Sequence, residues 1–278
     1  MKESLATVLE EKPPKDGDSN FEWLSVSKVK TFKDCPAKFR YTYIEKLPRK
    51  TWDFHIFGSF LHRVLELFHE RRLEGNEELD HILISKCFKD SVKEFPKINM
   101  DQISDSKKII SQYLEKLAVE RRDGTASEVV AVEDSFYIDI DGKVLLNGFI
   151  DLVKKDPDGL LHVADYKTSK SKKYLKKDFL QLKTYAYVKC LEDPSIERIR
   201  ASYIMLRFGF EEIAKEFTRD EVMSMEKYFL EYANSIQAEK LWRPNTGPLC
   251  RFCDHLDVCE SGQEAIYGKN DQFGAVSW

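Results

Sequence analysis

No run in this 278-residue chain reaches the roughly 18 consecutive apolar residues that a membrane-spanning helix requires. The opening Met1-Lys2-Glu3-Ser4 leads into acidic, proline-broken sequence instead of the apolar core of a secretory signal, which predicts a cytoplasmic protein with no membrane contact. Glycine and proline are scarce, at 12 and 9 residues, and this excludes low-complexity and collagen-like chains. An excess of one charge is missing too. The 44 basic and 48 acidic side chains leave a formal charge of -4, so the surface as a whole does not attract phosphate backbones and a nucleic-acid site has to be a local patch. No internal repeat is visible, and no G-x-x-x-x-G-K-[ST] phosphate loop, so ATP-driven unwinding would require a partner protein. The six cysteines, without a secretory signal, belong to a reducing compartment, where clustered thiols bind metal more often than they form disulfides.

The composition that remains, 42% hydrophobic and 33% charged, supports a globular α/β chain with a sizeable core. Residues 1–22 are polar and broken by Pro13-Pro14, and are expected to be a flexible tail that packs against nothing. From Trp23 the sequence predicts a helical part to about 123. Ser25 or Ser27 caps a first helix that runs through Val29 and Phe32 to Cys35, where Pro36 interrupts it. Phe60, Leu61, Val64, Leu65, Leu67 and Phe68 recur at helical spacing over residues 57–74, and a second such pattern covers 103–121. After Gly124 the period changes. Segments 133–140, 143–154 and 160–168 are β-rich and separated by Asp141-Gly142 and Asp156-Pro157-Asp158-Gly159, which predicts an antiparallel meander. A helix over 179–190, a strand over 199–208 and one long helix over 220–238 complete a mixed sheet flanked by helices, with a cysteine-rich segment at 241–260 and a tail at 261–278.

Strand side chains alternate between faces, so Asp165 and Lys167 share a face that Tyr166 does not. Asp151, in the otherwise apolar Gly148-Phe149-Ile150-Asp151, would be costly to bury without a cation. Two carboxylates and an ammonium on neighbouring strands suit a hydrolytic metal site. Magnesium or manganese held by Asp151 and Asp165 would polarise a phosphodiester oxygen and acidify an attacking water, with Lys167 beside it. Taken alone, Asp165-x-Lys167 is a weak pattern and reads better as a strand end at the surface, which is common.

In context, Gly148-x-x-Asp151 followed by Asp165-Tyr166-Lys167-Thr168 resembles the active-site core of the PD-(D/E)XK nuclease superfamily, with Ile150 where the name puts proline. Gly58-x-x-x-His62-x-x-x-Glu66 and Gln181-Leu182-Lys183-Thr184-Tyr185 are similar to motifs of its RecB-type exonuclease branch. The resemblance implies a restriction-endonuclease-like core in which His62, Asp151, Asp165 and the Tyr166 carbonyl hold the ion. Lys167, Gln181 and Tyr185 would serve catalysis, and Glu133 would reach the metal through water. It further implies exonucleolytic cleavage of single-stranded DNA ends in recombination, repair or phage genome processing, in a bacterial or phage-infected cell, with a helicase or recombination partner. The residues by themselves also fit a core histidine at 62, a buried tyrosine at 185 and an exposed strand-end glutamate at 133. Two other readings remain open, a non-catalytic DNA-binding scaffold and a zinc-stabilised interaction module.

Cys250-x-x-Cys253 and Cys259 have the spacing of thiolates that converge on one metal centre. By resemblance to AddB-like and CRISPR adaptation nucleases, Cys35 is the fourth ligand of a four-iron four-sulfur cluster joining the N- and C-terminal segments. Structural zinc, with His255 in place of Cys35, is the alternative. Cys87 and Cys190 read as ordinary buried thiols. Lys170, Lys172, Lys173, Lys176 and Lys177, with Tyr174 among them, follow Lys167 and form the local positive patch that DNA would need. Trp23, Tyr41, Tyr43, Trp52 and Trp242 are candidates for stacking on unpaired bases, or for the core.

Overall fold

The computed structural model describes residues 4–13, 22–173, 175 and 178–268. They form two compact units, the larger built from Trp52–Leu230 and the described residues before Leu24, the smaller from Leu24–Thr51 and the described residues from Glu231 onward.

In chain order the elements are β1 (Ala6–Val8), β2 (Glu22–Leu24), α1 (Val26–Asp34), α2 (Pro36–Phe39), α3 (Asp53–Leu73), α4 (Asp80–Glu94), α5 (Met100–Asp123), β3 (Glu128–Ile140), β4 (Val144–Lys155), β5 (Leu161–Lys167), α6 (Leu180–Glu192), β6 (Arg198–Met205), β7 (Glu211–Thr218), α7 (Arg219–Met223), α8 (Met225–Ala238) and α9 (Glu260–Tyr267). The sheet runs β1-β3-β4-β5-β6-β7, with β2 also pairing β4. Only the β5–β6 pair is parallel among the described registers, and α6 supplies the crossover that a parallel connection needs. This is the mixed sheet expected from the sequence. The hairpin between β3 and β4 turns on Asp141 and Gly142, both left-handed at φ 57° and 61°, as the central pair of a type I′ turn demands.

On one face of the sheet Leu152, Ala164, Tyr166 and Ile204 pack into a core with α3, α4 and α5. That core buries Phe57, Phe60, Leu61, Val64, Leu65 and Phe68 along one side of α3, the periodicity read in the sequence. The other face is covered by α6, whose Tyr185 ring meets Phe136 edge-on at 6.3 Å. Phe136 lies opposite Gly148 in the register, and a Cβ at 148 would come within 2.6 Å of the ring. Glycine is required there because the aromatic ring crosses the neighbouring strand at contact distance. Gly148→Ala is expected to destabilise the domain by about 1–3 kcal/mol through overpacking, measurable as a lower urea midpoint at unchanged slope.

Several expectations are corrected. Ala6–Val8 is no free tail but an edge strand, with Ala6, Thr7 and Val8 opposite Ile140, Asp139 and Ile138. The long β3 would otherwise leave its outer backbone groups without partners, and this short segment satisfies them despite its polar neighbours. Segment 261–278 does not begin as a tail, since α9 runs to Tyr267. The helix over 220–238 is broken at Ser224, which caps α7, and the strand over 199–208 ends at Met205 in a turn closed by Gly209 at φ 62°. The first strand of the meander begins at Glu128, five residues early, and β7 and α4 have no counterpart in the sequence reading.

In the smaller unit Cys35 ends α1 and caps α2, its Sγ accepting from the Lys38 N–H at 3.4 Å, with Pro36 at the first helical position. The half-buried Trp242 ring stacks on buried Phe39 at 5.8 Å.

Candidate active site

β4 and β5 present Asp151, Asp165 and Lys167 on the face of the sheet that α6 covers, while their neighbours Leu152 and Tyr166 enter the helical core. Lys167 Nζ lies 2.5 Å from Asp165 Oδ2, which confirms the shared face. The ammonium also donates to Gln181 Oε1 at 3.0 Å, Gln181 Nε2 donates to the Tyr185 hydroxyl at 2.8 Å, and that hydroxyl points back to Asp165 Oδ1 at 3.5 Å. The four side chains thus close a ring around the lysine. The i, i+4 spacing of Gln181 and Tyr185 on α6 makes this possible.

Asp151 Oδ2 accepts the Tyr166 backbone N–H at 2.8 Å and lies 3.3 Å from His62 Nδ1 on α3. Glu133 joins these two, and one ligand atom from each of His62, Glu133 and Asp151 lies within 4.8 Å of the others. The expected set is therefore rearranged. Glu133 stands among the close donors, while Asp165, expected there, sits with Lys167. Glu133 was expected at the start of its strand but lies within β3, beside the residues that pair with β4 around Asp151, with a left-handed backbone at φ 44°. For a non-glycine residue in a strand this costs of the order of 1 kcal/mol or more, and such strain concentrates at functional positions.

Burial and mutual repulsion shape the charges. Burial, then the Asp165 charge, hold the Asp151 carboxyl well above its ordinary range. Burial followed by the Asp151 and Glu66 charges pushes Glu133 up to about 7. Burial lowers His62, against the pull of Asp165, so the imidazole is neutral and free to ligate. Asp165 is only 2% exposed, and its Oδ2 makes no aligned hydrogen bond despite the nearby ammonium. Buried, repelling carboxylates with an under-satisfied oxygen and a neutral imidazole fit a hard divalent cation with oxygen and nitrogen ligands.

The rise at Glu133 has a testable consequence. Its folded pKa lies above the ordinary 4.5, so the folded chain holds an extra proton in between. That contribution to stability is complete below pH 4.5 and is lost as pH rises to about 7. In chelator, the unfolding free energy should fall over this window by about 1 kcal/mol more in the unaltered chain than in Glu133→Gln, after allowance for solvent screening at a half-buried site. Urea titrations at pH 5, 6 and 7 measure the difference, and equal slopes for the two proteins would contradict it.

Among the cations expected to guide DNA, Lys170 and Lys173 are exposed, whereas Lys172 is drawn to Glu211 at 2.6 Å and lies over the Phe208 ring. Lys176, Lys177 and Tyr174 lie outside the described residues. In the smaller unit Cys35, Cys250, Cys253 and Cys259 line one cavity. The Asn245 and Gly247 backbone N–H groups donate to Cys35 Sγ and Cys250 Sγ, each at 3.4 Å. His255 is 2% exposed, with Nε2 engaged by the Thr42 hydroxyl at 2.9 Å.

A second constellation escaped the sequence reading. Asp156 Oδ2, His162 Nδ1, His162 Nε2 and Ser202 Oγ form a chain with 2.8 Å at both imidazole contacts, the order of a hydrolase triad. Ser202 is fully buried, however, and its hydroxyl also donates to Glu212 at 3.1 Å. The network joins the turn after β4 to β5, β6 and β7, and its serine and imidazole are sealed from substrate.

Curated relatives include a protein of the ATP-dependent helicase/deoxyribonuclease of Streptococcus agalactiae, in serotypes Ia, V and III, each 25% identical over 236 residues. The match covers 80% of this chain but 22% of each relative, so the chain spans about a fifth of their length. The crystal structure of SSO0001 aligns over 89% of this chain and 88% of its own at 14% identity, with a TM-score of 0.34 that is too low for shared detail. Residues 23–260 match the family described as the PD-(D/E)XK nuclease superfamily, a span that takes in the acidic cluster, the Asp165/Lys167 pair and the cysteine cavity. With that match over most of its length, the chain belongs to the PD-(D/E)XK nuclease superfamily.

Proposed function

We propose that this chain is a magnesium- or manganese-dependent deoxyribonuclease that digests single-stranded DNA from an end. The reading is carried by one observation above all: His62, Glu133 and Asp151 converge within 4.8 Å while the neighbouring strand holds Lys167 against buried Asp165. His62, Asp151 and Glu133 would hold the ion, with Asp165 and the Tyr166 carbonyl on the adjacent strand as the further ligands that the family resemblance implies. When bound, such an ion polarises a phosphodiester oxygen and makes water acidic enough to attack at neutral pH. The protein's own groups do the positioning. Lys167 is fixed by Asp165 and Gln181, and its ammonium is placed to orient water or offset charge that develops on phosphorus. Tyr185, its pKa raised first by burial and then by Asp165, stays protonated and keeps its hydroxyl as a donor. Exposed Lys170 and Lys173, just beyond the catalytic strand, are placed to draw the phosphate backbone in.

In the smaller unit we assign a four-iron four-sulfur cluster to Cys35, Cys250, Cys253 and Cys259. The four thiols line one cavity, with the Asn245 and Gly247 backbone N–H groups donating to two of them, which suits sulfurs that serve as ligands. The Thr42 hydroxyl already engages His255 Nε2, which favours four thiols over a set that uses that nitrogen. The cluster is a structural clasp and needs no redox chemistry. Because the relatives are named as part of an ATP-dependent helicase/deoxyribonuclease, a motor partner in DNA repair or recombination belongs to the proposal.

Incubation of end-labelled single-stranded DNA with the purified chain should give digestion with magnesium or manganese and none with chelator. Asp165→Ala should abolish it. Undiminished digestion by that variant would remove the proposed site, and metal-dependent binding without cleavage would favour a non-catalytic scaffold.

A further inference from the structure

Behind the catalytic strands, on the sheet face opposite Asp165, lies a cavity of about 260 Å³ between α3, α5 and strands β3 to β7. Its walls include the rings of Phe68, Tyr113, Tyr166 and Phe210, with Tyr113 and Phe210 4.8 Å apart. Its charged lining comprises Arg72, Lys116, Arg121 and Lys154 against Glu120 and Glu212. We propose that this cavity binds a planar aromatic anion of the nucleoside monophosphate class, and that its occupancy regulates the nuclease site. The regulatory half rests on the nuclease reading above.

Size, lining and position each carry part of the inference. Small-molecule sites usually run from about 300 Å³ upward, so this volume takes a single base, with sugar and phosphate left toward the open side. Aromatic faces suit such a ring. At the rim Arg121 is 53% exposed and Lys116 28%, where a phosphate would lie. These cations already share Asp80 and Glu120, so the phosphate has to compete and binding is modest in strength. One donor is left over, because Arg72 Nε is buried with no hydrogen-bond partner among the described residues. His69 adds no charge, since burial lowers it to about 4, and its Nε2 meets the Tyr113 hydroxyl at 2.7 Å.

Tyr166 connects the cavity to the chemistry. Its ring lines the cavity, its backbone N–H holds Asp151 Oδ2, and its chain neighbours are Asp165 and Lys167. Leu152, next to Asp151, lines the same space. A ring that presses on Tyr166 and Leu152 therefore acts on the backbone that sets both carboxylates. Hydrolysis of DNA from an end releases this class of molecule, which makes the cavity a place for product to slow the enzyme.

Calorimetric titration of the full chain in chelator with 5′-deoxyadenylate and 5′-deoxythymidylate tests the binding. Dissociation constants of the order of 0.1–1 mM are expected. Ala126→Trp and Leu73→Trp, at partly exposed positions on the rim, are each expected to weaken binding about tenfold or more while leaving nucleotide-free hydrolysis unchanged. Asp165→Ala should bind nucleotide as the unaltered chain does. With metal present, added nucleotide should inhibit the unaltered chain and spare the two filled variants. Absence of binding at about 10 mM, equal binding of orthophosphate alone, undiminished binding by both filled variants, or loss of binding in Asp165→Ala would overturn the proposal. Nucleotide binding in chelator by a chain that hydrolyses no DNA would instead count against the nuclease reading alone.

Discussion

Asp151→Asn is expected to lower DNA hydrolysis by about 10³-fold while raising the stability of the metal-free chain. The two effects have one cause. Asp151 is held well above the ordinary carboxylate range by burial and by the Asp165 charge, so the folded chain carries a group whose ionised form it disfavours. Asparagine keeps the shape and can still accept the Tyr166 N–H through its carbonyl oxygen, now made at 2.8 Å. It removes the repulsion that also raises Glu133. The cation loses a charged ligand, and the loss of a charge that organises the transition state is worth about 10²–10³ or more in rate. In chelator at pH 8, where the carboxylates are pressed to ionise, the variant should unfold at about 1 kcal/mol higher free energy. Adding manganese should reverse the order, because only the unaltered chain gains tight binding. Urea titrations with and without the ion measure both. A variant less stable in both conditions would mean that Asp151 is a structural carboxylate, paired with His62 at 3.3 Å for packing alone.

Much of this site was legible because strands have a period of two. Asp165 and Lys167 could be placed together from alternation, and the Asp141-Gly142 turn fixed which strand stood beside which. Gln181 and Tyr185 stand out by their resemblance to a family motif, and helical spacing then puts both on one side of α6. The position of Glu133 was not legible in the same way. Its left-handed backbone, and the register shift between Val129 and Ala131 upstream, turn on tertiary pairing that no local signal announces. The same limit hid β7, whose alternating Glu211-Glu212-Ile213-Ala214-Lys215 is too polar for a strand until the parallel β5–β6 pair offers it an edge. Composition misled at Ala6–Val8, where three residues that suit an edge strand sit beside a proline-rich stretch. The cavity behind Tyr166 had no sequence signature, since its walls come from separated segments and its charges resemble an ordinary solvated helix face.

Cys250→Ser should have the largest effect on the smaller unit. That unit is assembled from two stretches far apart in sequence, 24–51 and 231 onward, joined within it by contacts such as Phe39 on Trp242 and Lys50 with Asp257 at 2.5 Å. The ion pair is exposed and worth little. The intervening residues fold as the larger unit, so what an unstapled pairing has to offset is the ordering of the two stretches themselves, about 1–2 kcal/mol for each residue fixed. Metal-centre binding helps to offset that cost and is lost with a ligand. Purified without oxygen, the unaltered chain should be brown, absorb near roughly 400 nm and carry about four irons. Cys250→Ser should lose most of that iron and have residues 231–268 cut by protease under conditions where the unaltered chain resists. Cys87→Ala, a buried thiol in α4, should keep the full iron content even if its core loosens. A colourless protein holding one zinc, or a serine variant as resistant as its parent, would show that the four thiols do not join the ends through an iron centre.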